Sequence, residues 1–279
     1  MIGSLAGDVI GSRFEFHNSL PFDALFANKS VYTDDTVLTV ATADTLLNNE
    51  SFAKNYLEYA QAFPNRGFGG MFLKAVKSGV LLPYNSYGNG SMMRVGPVGW
   101  AFDNISDVIS WAKKSAEVSH NHPSGILGAQ AVAAAIFFAR HKATKEQIKD
   151  ELQSGIFNYD LGAKVGDFQK GKFNVSCQDT VPKCMAIFFE CTSFVNAMEI
   201  SHAVGGDVDT NNAIIGSICD AYYGLPEQNI IDEVYARIPK HFANITTQFV
   251  KKYIDHDFVE PKQISTKTAT FVDSLSSLF

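Results

Sequence analysis

The chain has 279 residues, of which 46% are hydrophobic and 19% are charged, and its formal net charge is −6. This composition is typical of a globular protein with a substantial core, so we predict one domain over residues 1–279 and exclude extended internal disorder. The negative charge argues against a surface that gathers polyanions, so nucleic acid is expected only as a modified substrate.

The apolar segments of the chain do not predict a membrane protein. The first ten residues are apolar but contain Asp8, and no positively charged segment precedes them, which argues against a signal peptide. No uncharged apolar run reaches the length of a membrane-spanning helix. We therefore expect a cytoplasmic location and no membrane partner.

The first predicted helix covers residues 1–11 and carries glycines at four-residue steps. On a helix, this spacing creates a smooth ridge that another helix can approach closely. The ridge consists of Gly3, Gly7 and Gly11.

An aromatic, loop-like passage follows at residues 13–32 and contains Glu15. Its neighbours are Phe14 and Phe16. Glu15 is either a solvated loop residue or, if the rings exclude water, a carboxyl group with a raised pKa that suits acid–base catalysis.

Two separated acidic clusters, residues 33–36 and 207–210, each precede an apolar run, which predicts two helix N-termini. Gly205 and Gly206 permit a sharp turn before the second cluster. Each cluster alone is explained by helix capping. If the two converge, their oxygen atoms form a site that Mg²⁺ or Mn²⁺ prefers, and four carboxylates are enough for two ions. The predicted metal ligands are Thr33, Asp34, Asp35, Asp207, Asp209 and Thr210.

The remaining pattern predicts helices and no series of alternating strands. Residues 67–99 are rich in glycine, and residues 154–180 have weak periodicity, so neither segment predicts a helix. The last thirty residues are the least regular. The further predicted helices are a helix after residue 36 and helices over residues 51–62, 106–117, 125–139, 145–153, 181–189, 193–203 and 211–223.

The segment 86–91 is too glycine-rich and polar for regular structure. Such a segment can turn several backbone N–H groups inward and hold phosphate without a net positive charge. The residues concerned are Ser86, Tyr87, Gly88, Asn89, Gly90 and Ser91.

Three basic side chains near this loop have two interpretations each. His120 and His122 precede an alanine-rich segment and are either structural residues or ligand-binding ones. Arg94 either binds phosphate or belongs to a buried ion pair. The residue pattern alone does not decide between these roles.

Four cysteines complete the list of reactive side chains. They contain no Cys-x-x-Cys pair, and the first three recur every seven residues, which places them on one face of a helix if that segment is helical. Buried free thiols are predicted, and neither a zinc site nor a disulfide framework is indicated. The cysteines are Cys177, Cys184, Cys191 and Cys219.

Taken in order, these motifs resemble the ADP-ribosylglycohydrolase family over nearly the whole chain. Residues 7–11 with Glu15 are similar to the family's opening Gly-Asp-x-x-Gly and Glu. Residues 33–36 and 205–211 look like its two metal motifs, and these are the specific ones. Residues 88–94 look like its Gly-Asn-Gly-x-x-Met-Arg loop, and Ser119-His120 is similar to its Thr-His segment. Two residues depart from the family's usual threonine, Ser119 and Val208, and residues 154–177 match poorly.

The resemblance implies an all-α fold, a single compact orthogonal helical bundle of the ADP-ribosylglycohydrolase type, that binds two divalent cations, Mg²⁺ or Mn²⁺. It implies hydrolysis of the glycosidic bond between ADP-ribose and an acceptor. The expected partner is an ADP-ribosylated protein or a small ADP-ribosyl conjugate, and ADP-ribose is the product. Glu15 and Asp35 are the catalytic candidates. The loop 86–91 and His120, rather than His122, are expected to bind substrate.

Two other classes of function stay open at this stage. One is a non-catalytic relative of the same fold that binds ADP-ribose or has a structural role, against which the intact acidic clusters argue. The other is an unrelated Mg²⁺-dependent phosphohydrolase, which would release inorganic phosphate from a nucleotide. The sequence specifies neither the acceptor nor the choice between Mg²⁺ and Mn²⁺.

Overall fold

A computed structural model describes residues 1–261, and its regular structure is helical, which confirms the all-α prediction for this part of the chain. One isolated bridge between Gly88 and Ser176 and one 3₁₀ turn at Val165–Asp167 are its other regular features. The helices are α1 (Ile2–Gly11), α2 (Asp34–Asn48), α3 (Phe52–Ala62), α4 (Gly70–Ser78), α5 (Gly90–Met93), α6 (Gly96–Ala101), α7 (Ile105–Glu117), α8 (Pro123–Arg140), α9 (Lys145–Gln153), α10 (Cys177–Glu190), α11 (Phe194–Val204), α12 (Val208–Tyr223), α13 (Gln228–Arg237) and α14 (Lys240–Tyr253).

The glycine ridge of α1 packs against α12, as predicted. A methyl group on Gly7 would lie 2.1 Å from the carbonyl oxygen of Asn212, and one on Gly11 would lie 2.5 Å from the Cα atom of Asp209. Because no side chain fits between the two backbones, this contact requires glycine. It places the side chain of Asp8, on α1, beside the first turn of α12.

Helix α8 runs through the core. By length and composition alone it could span a membrane, but 61% of it is buried in the structure. It contacts α6, α7 and α12. These contacts explain its apolar, alanine-rich sequence as that of a core helix.

The glycine-rich segment 67–99 contains three helices that the sequence pattern did not predict: α4, α5 and α6. The prediction of an irregular loop over residues 86–91 was therefore wrong at Gly90 and Ser91, which begin α5. Gly99 shows one physical reason: a methyl group there would lie 2.6 Å from the Cβ atom of Ile136, so glycine allows α6 to pack closely on α8. Tertiary packing thus outweighs low helix propensity.

Two helices after residue 223, α13 and α14, were also missed, and α10 begins at Cys177 instead of residue 181. In α10 the side chain of Ser176 accepts a hydrogen bond from the backbone N–H of Asp179, which fixes the earlier start. The part of the expected irregular C-terminus beyond residue 261 lies outside the described residues.

Candidate functional site

The N-termini of α2 and α12 meet beside α1, so both acidic clusters do start helices. Thr33 caps α2 by accepting a hydrogen bond from the N–H of Asp35, and Asp207 is the residue that precedes α12. The two clusters are also linked directly, because the Thr210 hydroxyl donates to Asp35 Oδ2 at 3.4 Å.

Asp8 holds the first cluster in place. Its Oδ1 accepts a hydrogen bond from the Thr33 hydroxyl at 2.8 Å. Its Oδ2 accepts bonds from the Thr33 N–H at 2.9 Å, the Thr36 N–H at 3.1 Å and the Thr36 hydroxyl at 2.5 Å. Both oxygens are therefore engaged by α2, and Asp8 acts as an anchor for the turn that presents Asp35.

Asp35 and Asp209 differ from Asp8 in having acceptor atoms to spare. Oδ1 of each is buried and has no hydrogen-bond partner among the described residues. Carboxylate oxygens of Asp8, Asp35 and Asp209 lie within 4.8 Å of one another. Buried acceptors without donors are costly, so these two atoms indicate a missing cationic or hydrogen-bonding ligand.

A second close group contains Glu15, Asp207 and Asp209, whose carboxylate oxygens again lie within 4.8 Å of one another. Asp209 thus belongs to both groups. Asp207 Oδ2 accepts a hydrogen bond of 2.6 Å from the side-chain amide of Asn89, which connects the acidic cluster to the glycine-rich loop.

The predicted ligand Asp34 lies outside both close groups. Its N–H donates to the carbonyl oxygen of Arg66, and its side chain is only partly buried, next to Gly67. The cluster nevertheless affects the ionisation of Asp34. Burial raises the pKa of Asp34 well above its ordinary value, and the charge of Asp8 raises it further. Asp35, Asp207 and Asp209 are therefore better placed to share an ion.

The cluster holds more negative charge than the surrounding protein neutralises. Burial raises the pKa values of Asp35 and Asp209 well above the ordinary range, with further increases from Asp8 and Asp207 respectively. No salt bridge within residues 1–261 involves a carboxylate of either group. Divalent cations suit this all-oxygen set of donors, and the unpartnered oxygens of Asp35 and Asp209 are where the residues fit them best.

Glu15 sits at the edge of the acidic cluster, half-buried. Asn18 fixes its loop, because the side chain of Asn18 donates to the carbonyl oxygens of Glu15 and Gly206 at 3.2 Å each. Burial and the charge of Asp207 raise the pKa of Glu15 to about 7. Of the two phenylalanines that flank Glu15, Phe14 is buried, whereas the Phe16 side chain is 74% exposed.

The glycine-rich loop faces His120. A methyl group on Gly90 would lie 3.1 Å from His120 Nε2, and one on Gly88 would lie 3.7 Å from it. The loop does not present an unbroken row of free N–H groups, since those of Gly88 and Asn89 donate to Ser86 Oγ and to the carbonyl oxygen of Val175. The loop can approach His120 this closely because Gly88 and Gly90 have no side chains.

Behind His120 lies Arg94, which is fully buried. Its Nη2 donates to Ser119 Oγ at 2.9 Å, and Ser119 Oγ in turn bonds to His120 Nδ1 at 2.8 Å. Within the described residues Arg94 has no salt bridge, so the predicted alternative of a buried ion pair was wrong. Because it is fully buried, it also does not bind phosphate directly. Its guanidinium packs on the ring of Tyr56, 4.2 Å from the centroid.

Comparison with known proteins identifies the family of the chain. A family model described as ADP-ribosylglycohydrolase matches residues 1–256. The chain belongs to this family. It is 24% identical to an ADP-ribosylhydrolase ARH3 of Mus musculus over 81% of the chain and 83% of that protein. It is likewise 24% identical to ARH3 of Homo sapiens, over 81% of the chain and 85% of that protein.

A solved structure gives the same fold. A chain of an ADP-ribosylglycohydrolase-related protein complex superposes with a TM-score of 0.65 at 21% sequence identity, covering 87% of this chain and 89% of that one. At this identity the likeness establishes the all-α fold of the ADP-ribosylglycohydrolases, and the roles of individual residues rest on the geometry above.

Two residues of this candidate site, Asp8 and Lys183, were assigned no role by the sequence. For Asp8 a signal existed, since it is a lone acid in an otherwise apolar helix. Lys183 gave none. It is buried, its Nζ lies 3.4 Å from the position of a methyl group on Gly206, and its charge lowers the pKa of Asp207, although burial raises that pKa overall.

Proposed function

We propose that this protein is a hydrolase that uses divalent cations to cleave the glycosidic bond between ADP-ribose and an acceptor, releasing ADP-ribose. The observation that carries the proposal is the pair of buried, unpartnered oxygens on Asp35 and Asp209 beside the half-buried Glu15. A purely structural cluster would have no reason to leave these atoms without donors.

The metal ligands would be Asp35, Asp207 and Asp209, with hydroxyl groups of Thr33 and Thr210 beside them. Asp34 lies outside both close carboxylate groups, so its partly buried carboxylate is the least well placed of the predicted ligands. We favour two ions, Mg²⁺ or Mn²⁺, because the two close carboxylate groups share Asp209. When bound, such ions supply positive charge that acidifies water and holds sugar hydroxyl groups.

Glu15 is the best candidate for moving a proton in this reaction. Its oxygens lie in the same group as those of Asp207 and Asp209, and burial raises its pKa in the metal-free chain to about 7. Cleavage at the anomeric carbon passes through a cationic, oxocarbenium-like transition state, which the surrounding carboxylates stabilise. Asp35 is the second candidate. Its contact with Thr210 of the other cluster makes it better placed as a metal ligand.

The diphosphate of ADP-ribose would lie against the glycine-rich loop and His120. Burial lowers the pKa of His120 well below its ordinary value, and the charge of Arg94 acts in the same direction, so the ring is neutral. If Ser119 donates to Nδ1, the ring proton lies on Nε2 and faces the loop. Tyr87, whose side chain is 54% exposed, offers a ring face to the adenine or ribose.

The test is a panel of matched substrates that differ only in the acceptor. Peptides ADP-ribosylated on arginine or on serine, and an ADP-ribosylated nucleic acid, are incubated with the full chain and either Mg²⁺ or Mn²⁺. We expect ADP-ribose from at least one substrate, and none after chelation. Release of inorganic phosphate from a nucleotide instead would overturn the proposal in favour of a phosphohydrolase.

A Glu15→Gln variant separates catalysis from binding. Glutamine keeps the size of the side chain but removes the exchangeable carboxyl proton, so turnover should fall sharply while ADP-ribose still binds. If the wild-type chain binds ADP-ribose by calorimetry but cleaves no member of the panel, the protein is a non-catalytic relative and the proposal is wrong.

A further inference from the structure

Two cysteines lie in contact at the opposite end of α12 from the acidic cluster. All four cysteines are free and buried, as predicted. Cys191 Sγ and Cys219 Sγ are 4.0 Å apart, although 28 positions separate the two residues in the chain. A disulfide requires about 2.05 Å between sulfur atoms, so rotation of the side chains must close the remaining gap.

The environment of Cys191 favours a reactive thiolate. Lys145 Nζ lies 3.9 Å from its sulfur, and the Tyr223 hydroxyl lies 3.6 Å from it. The hydrogen bond from Cys219, with smaller contributions from Tyr223 and Lys145, lowers the pKa of Cys191 to about 7. A nearby positive charge lowers the pKa of a thiol and so favours the thiolate, which is the form that reacts with oxidants.

Cys191 lies at the C-terminal end of α10, close to the protein surface. Cys191 is the residue that ends α10, in an extended conformation, and the next residue, Thr192, is exposed. Lys145 Nζ also donates to the carbonyl oxygens of Phe189 and Cys191, at 3.3 Å and 2.5 Å, which offsets the negative end of α10. The thiol pair therefore lies just beneath the surface, under Tyr223, which is 39% exposed.

The other two cysteines provide an internal contrast. Burial raises the pKa of Cys177 and of Cys184 to about 12 each, so both stay protonated at neutral pH. Neither has another sulfur atom within hydrogen-bonding distance among the described residues.

We propose that Cys191 and Cys219 form a peroxide-responsive dithiol in which Cys191 is oxidised first and Cys219 resolves the product. The Cys191 thiol reacts with a hydroperoxide, giving a sulfenic acid and one water (or alcohol) molecule. The Cys219 thiol then attacks that sulfur, forming the disulfide and releasing a second molecule of water. Two thiols lose two electrons and two protons, and the peroxide is reduced.

The experiment treats the folded full-length chain with hydrogen peroxide after reductant has been removed. We expect a mass loss of about 2 Da per chain and a Cys191–Cys219 peptide on digestion, while Cys177 and Cys184 remain alkylatable after denaturation. Oxidation of Cys177 or Cys184 at the same rate as Cys191 would overturn the proposal. So would accumulation of sulfinic acid at Cys191 without any disulfide.

Single variants assign the two roles. Cys219→Ala should stop the reaction at a sulfenic acid on Cys191, which dimedone traps, whereas Cys191→Ala should leave Cys219 unmodified. Lys145→Met should slow the first step, and Lys149→Met, on the same helix and not within hydrogen-bonding distance of a cysteine sulfur, is the matched control. Equal rates for both lysine variants would show that Lys145 does not activate the thiol.

Each variant is first checked for an unchanged far-ultraviolet circular dichroism spectrum and a cooperative thermal transition. A cysteine variant that fails this check is replaced by the corresponding serine substitution. The dithiol lies outside the acidic cluster, so this result and the test of hydrolase activity are independent.

Discussion

The two sides of the proposed substrate site are opposite in charge, and no salt bridge within residues 1–261 involves either side. The acidic side gathers Asp35, Asp207 and Asp209 without a salt bridge within the described residues. The loop side has the fully buried Arg94 behind His120, also without a carboxylate partner. A folded protein seldom leaves buried charge unpaired on both sides of one site.

The difference indicates what each side binds. The acidic side lacks cations, which divalent metal ions would supply. The loop side has the neutral ring of His120, which would donate to a diphosphate, and the buried charge of Arg94 lies behind that ring. Asn89 joins the two by donating to Asp207 from within the loop. A ligand with a sugar at one end of a diphosphate would therefore contact both sides at once.

The largest effect should follow from removing charge on the acidic side. Asp35→Asn and Asp209→Asn each take away a ligand, and the loss of several kcal/mol of transition-state stabilisation corresponds to a fall in kcat of about a thousandfold or more. Asp44→Asn, on the same helix as Asp35 but bonded to Tyr59, is the control. Steady-state release of ADP-ribose is the measurement. Near-normal kcat in either site variant would contradict the assignment.

Metal binding itself should be visible without any substrate. Ions that bind only the folded chain at a hundred times their Kd stabilise it by about 2.7 kcal/mol, so Mg²⁺ or Mn²⁺ should raise the Tm of the EDTA-treated protein. Asp209→Asn should show a higher Tm than the wild type in EDTA, because repulsion is relieved, and a smaller rise on adding metal. An unchanged Tm of the wild-type protein at millimolar metal would rule out the ion site.

On the loop side, His120→Ala should weaken substrate binding without affecting metal. One hydrogen bond to a charged group contributes about 1.5–3 kcal/mol, so KM should rise about tenfold or more. His141→Ala, at the other end of α8, serves as the control. If the metal-induced shift in Tm changed along with KM, the separation of the two sides would be incorrect.

The smallest effect concerns the pH dependence of stability in the metal-free protein. The pKa of Glu15 is raised from 4.5 to about 7 in the folded chain, mainly by burial. A raised carboxyl pKa stabilises the fold fully below the unfolded value, and this contribution is lost as the pH rises towards 7. The free energy of unfolding of the wild type, relative to Glu15→Gln, should therefore fall between pH 4.5 and pH 7.

Urea titrations in EDTA across that range give this difference directly. The effect is modest, since Glu15 is only half-buried and water screens it. Taking the difference cancels His120, whose pKa is lowered and whose contribution has the opposite sign. A flat difference would show that Glu15 ionises normally, and a difference that rises with pH would show that its pKa is lowered; either result contradicts the prediction.

Local patterns predicted the features that depend on neighbouring residues in the chain. The helix starts at residues 34 and 208 follow from acidic capping sequences before apolar runs, and the glycine ridge of α1 from its four-residue spacing. The same logic identified the free thiols. These features are readable because helix geometry converts sequence spacing directly into a shared face.

Features that depend on tertiary packing were not predictable in this way. The four hydrogen bonds that engage Asp8 come from residues 25 and 28 positions later. Nothing local distinguishes Lys183 from a surface lysine, and the burial of Arg94 without a carboxylate is a property of the folded core. Helix α6 was missed because glycine lowers helix propensity, although at Gly99 it permits a close contact.

The contact between α1 and α12 has a consequence for the time at which the site comes into existence. Helix α1 is made before α12, and its partner surface and two of the site's carboxylates follow about two hundred residues later, after about ten to forty seconds of synthesis at ordinary rates. Until then the glycine ridge of α1 lacks its packing partner. The site therefore forms late, and a chain interrupted before residue 207 lacks two of the proposed metal ligands, Asp207 and Asp209, and a cover for α1.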